Sequence, residues 1–62
     1  MSQTPLTIPA LEAVYDLLAA SLDQVGPDKS ELFLVKLALL NANAIGDADV
    51  FRRHLEAAAA DL

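Results

Sequence analysis

The sequence predicts an all-α chain of three helices joined by short connections. Three observations predict it. Apolar side chains recur at spacings of three and four along the long segments, Gly26-Pro27 and Gly46-Asp47 punctuate the chain, and no stretch alternates with period two over a useful length. Short connections favour antiparallel neighbours. Residues 1–7, with Pro5 among Ser, Gln and Thr, read as a flexible N-terminal arm, and residues 8–62 as a single three-helix domain. No internal repeat is evident. The Ala57–Ala60 run is simply strong helix former.

The first helix should start at Thr7 or Ile8. Thr7 is a fair N-cap, and Pro9 suits the first turn, where its missing N–H costs nothing. At about 100° per residue, Leu11, Val14, Tyr15, Leu18, Leu22 and Val25 gather on one face, with Glu12, Asp16 and Asp23 opposite. Gly26-Pro27 ends this helix, with Gly available for a left-handed cap and Pro unable to continue the ladder.

The second helix should begin at Asp28, where Asp28-Lys29-Ser30-Glu31 follows capping-box logic with the acid in place of Ser or Thr. From Leu32 to Ile45 the only polar residues are Lys36, Asn41 and Asn43. Lys29, Lys36 and Asn43 are seven apart and form one narrow polar seam. Leucines, Phe33, Val35 and Ile45 occupy most of the remaining circumference. A helix apolar nearly all round is one that must be buried, and two neighbours from so short a chain can hardly cover it.

Gly46 reads as the C-cap of the second helix and Asp47 as the N-cap of the third, which runs from about Ala48 to Ala60. Phe51, Leu55, Ala58 and Leu62 form its inner face, and Asp49, Arg52, Arg53 and Glu56 lie outward. Asp49–Arg53 and Arg52–Glu56 are i,i+4 pairs of opposite charge.

Composition narrows the function classes. The chain has 62 residues, 55% of them hydrophobic, and a net charge of −5, so it is neither a disordered tail nor a basic nucleic-acid binder. It has no Cys, which excludes a disulfide scaffold or a thiolate metal site. Met1–Thr7 carries no positive side chain of a signal peptide, and the stretch Leu32–Leu40 is interrupted by Lys36 and too short to span a bilayer. A cytoplasmic protein that binds neither nucleic acid nor membrane is the expectation. Scaling rules leave a lone domain of this length burying only about 60% of its unfolded surface, which makes it marginal.

No constellation of catalytic or ligating residues emerges. His54 is the one histidine, and a metal reading would pair it with Asp47, Asp49 or Asp61. Helical spacing does not bring those groups together, and there is no second His. His54 reads instead as a boundary residue beside the Phe51/Ala58 face. The hydroxyls Ser2, Thr4, Thr7, Ser21 and Ser30 have no base and orienting group in sequence reach. Two glycines, Gly26 and Gly46, make no phosphate loop. Asn41 lies among Leu37, Ala38 and Ile45. It either reaches backbone carbonyls or the region of the first two helices, or fixes register across a helix–helix interface, as a buried Asn does in coiled coils. Asn43 is expected to hydrogen-bond the Gly46 corner rather than a ligand. Lys36 can lay its stem over apolar surface and keep its amine wet, or bridge to an acid of the first helix.

Val14-Tyr15-Asp16-Leu17-Leu18, then Ser30 and the Leu-rich run into Ala42-Asn43-Ala44-Ile45-Gly46-Asp47, resembles a family of short bacterial proteins known only as a domain of unknown function. The family pattern ends its Leu-rich helix in Ala-Asn-His-Ile-Gly-Asp. Here Ala44 stands in place of the His, so any chemistry of that His is unavailable at position 44. The likeness runs from about Val14 to the C-terminus. It implies an intact small protein and a helix–Gly–Asp–helix corner, and no activity.

These readings converge on a small interaction or structural protein, not an enzyme, with no catalytic residue, cofactor or metal, that self-associates as a helical homodimer. The candidate partner-binding residues are Phe33, Leu37, Leu40 and Asn41, and the structural turn is Asn43, Gly46 and Asp47. Two alternatives remain. One is an accessory subunit covered by a protein heteropartner. The other is a ligand-binding module whose site, near Lys36, Asn41, Asn43 and His54, is shared between subunits.

Overall fold

The computed structural model of the chain describes residues 5–62. Its helices are α1 (Ile8–Val25), α2 (Ser30–Ile45) and α3 (Ala48–Ala59), with a single 3-10 turn, Pro27–Lys29, ahead of α2. There is no strand among the described residues, as the all-α reading expects. The chain divides into two units, Met1–Glu31 and Leu32–Leu62.

In the first unit the start of α1 follows its local chemistry. Thr7 is extended (φ −65°, ψ 162°), and its Oγ1 accepts a hydrogen bond from the Ala10 N–H at 3.2 Å. Pro9 sits in the first turn, where its ring fits the helix and no donor is wasted. Residues 1–4 of the expected arm lie outside the described residues. Pro5, Leu6 and Thr7 are exposed and non-helical.

Gly26 ends α1 with φ +82° and ψ 162°, its N–H donating to the Leu22 carbonyl at 3.1 Å. This is not the left-handed cap the sequence suggests, because ψ is extended. The region is one that only glycine occupies at low cost. Helix two also starts differently from its expected Asp28 cap. Pro27, with φ fixed near the helical value, begins a 3-10 turn directly after Gly26, and no side chain caps it. Asp28 therefore falls inside that turn, where it cannot serve the N–H groups an N-cap would serve. The turn is closed instead by the Lys29 N–H and the Ser30 hydroxyl, which donate to the Gly26 carbonyl at 3.2 and 2.9 Å.

In the second unit the corner between α2 and α3 takes two residues. Gly46 has φ +73°, and its N–H donates to the Ala42 carbonyl at 2.9 Å. Asp47 is extended (φ −147°, ψ 112°) and caps α3. Within Leu32–Leu62 the two helices do not pack side by side, so the antiparallel contact expected of a short connection is not made there. The Gly–Asp link turns the chain without laying α3 back along α2. The Ala60 N–H donates to the Glu56 carbonyl at 3.2 Å, and Asp61 has φ +62°, a conformation Asp tolerates.

None of the described residues is buried. On α1 the C-terminal half of the apolar face, Leu18, Leu22 and Val25, is half-buried, while Leu11, Val14 and Tyr15 are exposed. On α3 only Val50 and Phe51 are half-buried, and Leu55 is open.

Candidate functional site

The central helix carries the surface that needs explaining. Phe33 and Leu37 are half-buried, whereas Leu40 and Asn41 are exposed, Leu40 by 68%. At helical spacing these four residues share one side of α2. They are the side chains the sequence singles out, and the structure leaves that side partly covered.

The opposite side of α2 is more open. Leu32, Val35 and Leu39 keep 58%, 50% and 64% of their surface, and they stand at i, i+3 and i+7 on one stripe. Ala42, half-buried, continues it. The sequence does not single out this stripe, because α2 is apolar almost all round and residue type alone does not select a face. The three-and-four spacing from Leu32 to Ala42 was the available signal.

Polar groups border the stripe. The Lys29–Lys36–Asn43 seam runs along one flank, and Glu31 lies on the other, with Ala38 and Ile45 in the following turns. Among the described residues the ion pairs are both on α3. Arg52 Nη2 is 3.6 Å from Asp49 Oδ1, and Arg52 Nη1 is 3.4 Å from Glu56 Oε2. Glu31 and Lys36 belong to neither. The expected Asp49–Arg53 pair is replaced by Asp49–Arg52, one residue nearer, so a single guanidinium serves both acids.

The corner residues have separate fates. Asp47 Oδ1 accepts hydrogen bonds from the Asp49 N–H at 2.9 Å and the Val50 N–H at 3.2 Å, which satisfies two donors that the first turn of α3 would otherwise leave open. Gly46 supplies the positive φ. Asn43 is exposed and takes no part in those bonds. Asn41 is likewise exposed, so within one chain its amide is not the buried group the sequence implied.

His54 is exposed on α3, and among the described residues no group of three or more His, Cys, Asp or Glu side chains is placed to hold a metal. Two of the hydroxyls are committed to backbone bonds, Thr7 as a cap and Ser30 to Gly26. Among the described residues no helix is long and apolar enough to cross a membrane.

The arrangement offers apolar helix faces and no converging polar groups. Compared with known proteins, residues 2–60 match the model of a family described as "Protein of unknown function (DUF2783)". The match begins well ahead of Val14, where the resemblance read from the sequence starts. No curated protein and no solved structure matches the chain.

Proposed function

This chain belongs to the DUF2783 family of proteins of unknown function, and we propose that it acts by association rather than by catalysis. It is an interaction protein that pairs with a second copy through α2 and has no chemistry of its own.

One observation carries this reading. α2 presents apolar side chains on opposite sides, Phe33, Leu37 and Leu40 on one and Leu32, Val35 and Leu39 on the other, and none of its residues is buried. Fully burying a Leu or Val side chain contributes roughly 1.5–3 kcal/mol, so leaving these in water forgoes a large part of what can stabilise so short a chain. Open apolar surface of this kind marks a contact surface.

Charge favours a second copy on α2 over other faces. The whole chain carries −5, but Ser30–Ile45 contains one acid and one base, Glu31 and Lys36, and is neutral. Two copies can meet there without bringing net charge together, whereas α1 carries the acids Glu12, Asp16 and Asp23.

Folding that is coupled to pairing makes stability depend on protein concentration. Urea unfolding followed by circular dichroism over a hundredfold range of concentration should show the midpoint rising with concentration. A midpoint that stays fixed across that range contradicts the proposal.

A further inference from the structure

We propose that the two copies pair with their α2 helices parallel, through Leu32, Val35, Leu39 and Ala42, and that Glu31 of each copy bridges to Lys36 of the other. The inference rests on the self-association proposed above and adds its face and its orientation.

The stripe has the spacing of a coiled-coil seam, alternating three and four residues from Leu32 to Ala42. It holds the most open run of large apolar side chains at that spacing on α2. Ala42 is small enough to let the two backbones approach. Gly46, the next position in the series, lies just beyond the end of the helix, so the seam is two heptads long.

The flanks decide the orientation. In a parallel pair, the flank preceding the first seam residue of each heptad faces the opposite flank of the other helix, five residues further along. Glu31 precedes Leu32, and Lys36 follows Val35. They stand five apart, so a parallel pair forms two symmetric Glu31–Lys36 bridges. In an antiparallel pair like flanks meet, and the Lys29–Lys36–Asn43 seam of one copy lies against the same seam of the other. Lys36 then faces Lys36 near the centre. Both Glu31 and Lys36 are exposed, and neither belongs to an ion pair among the described residues, so both are available to the second copy.

The test uses the full-length protein. Glu31→Lys or Lys36→Glu alone sets like charges opposite each other at both bridges and should raise the dissociation constant roughly threefold or more. The combined E31K/K36E variant should return it to the starting value. All three changes are at exposed positions, so helicity by circular dichroism should hold. Because the chain contains no Cys, a single Ala42→Cys variant reports orientation directly. Mild oxidation should link position 42 of one copy to position 42 of the other. An antiparallel pair centred on the stripe keeps those two sites about 15 Å apart along the helix axis and brings position 42 near position 32. Preferential linking in a mixture of Ala42→Cys and Leu32→Cys proteins, or a double variant as weak as the singles, overturns this inference and leaves self-association standing. A wild-type chain that sediments as a monomer overturns both.

Discussion

The Asp47 carboxylate accepts a hydrogen bond from the Val50 N–H at 3.2 Å, and the same oxygen takes the Asp49 N–H at 2.9 Å. One side chain thus starts α3 immediately after the glycine that ends α2. Replacing it by Ala should cost about 1 kcal/mol, since two helix donors lose their partner, whereas Asp47→Ser or Asp47→Asn should keep most of the stability. Urea unfolding of the three variants gives the comparison. Equal stability of Asp47→Ala and the parent would show that the cap contributes nothing.

Gly26→Ala should be more damaging than its surroundings suggest. Nothing lies within 4 Å of the place its Cβ would occupy, so there is no clash. The backbone there, at φ +82° and ψ 162°, is closed to side-chain-bearing residues, and holding Ala in it should cost about 1–3 kcal/mol. A variant as stable as the parent in thermal unfolding would mean that the junction between α1 and the 3-10 turn relaxes freely.

On α3, Arg52 and Arg53 should differ although they are neighbours of the same type. Arg52 reaches both Asp49 and Glu56, and its side chain is 61% exposed, so Arg52→Ala should lower stability by only about 0.2–0.5 kcal/mol. Arg53→Ala should change it less. Raising the salt concentration should erase the difference. A larger loss at Arg53 would contradict the arrangement of the ion pairs.

Leu39→Asp places a charge in the middle of the open stripe of α2 and should separate the copies. Asp16→Lys, on the face of α1 opposite its apolar stripe, should leave the solution mass unchanged. Light scattering on both variants tests this, with circular dichroism to follow helix content. An unaltered mass for Leu39→Asp would exclude that stripe from the contact.

The features legible in the sequence are those set by neighbouring residues. Thr7 and Asp47 are caps, and Gly26 and Gly46 mark the helix ends, because capping and positive φ depend on two or three adjacent residues. The start of α2 was harder to read, since the Asp28–Glu31 pattern competes with Pro27, and the fixed φ of proline acts first. The partner of Asp49 depended on which rotamer of Arg52 or Arg53 comes closer, and spacing alone admits both. Asn43 stands close to the corner in the sequence, but the bonds found there are made by the Gly46 N–H and the Asp47 carboxylate. The candidate surface was half legible. The apolar excess of α2 is plain in the sequence, yet a helix with leucines around most of its circumference does not say which side is open. That required the exposure of Leu32, Val35 and Leu39.

The claim on which the rest stands is that α2 is covered by a second copy. Sedimentation equilibrium of the wild-type chain at micromolar concentration tests it most directly. The account predicts a mass twice that of the chain, falling toward one chain on dilution. A single-chain mass throughout the range, with helical circular dichroism intact, would contradict it.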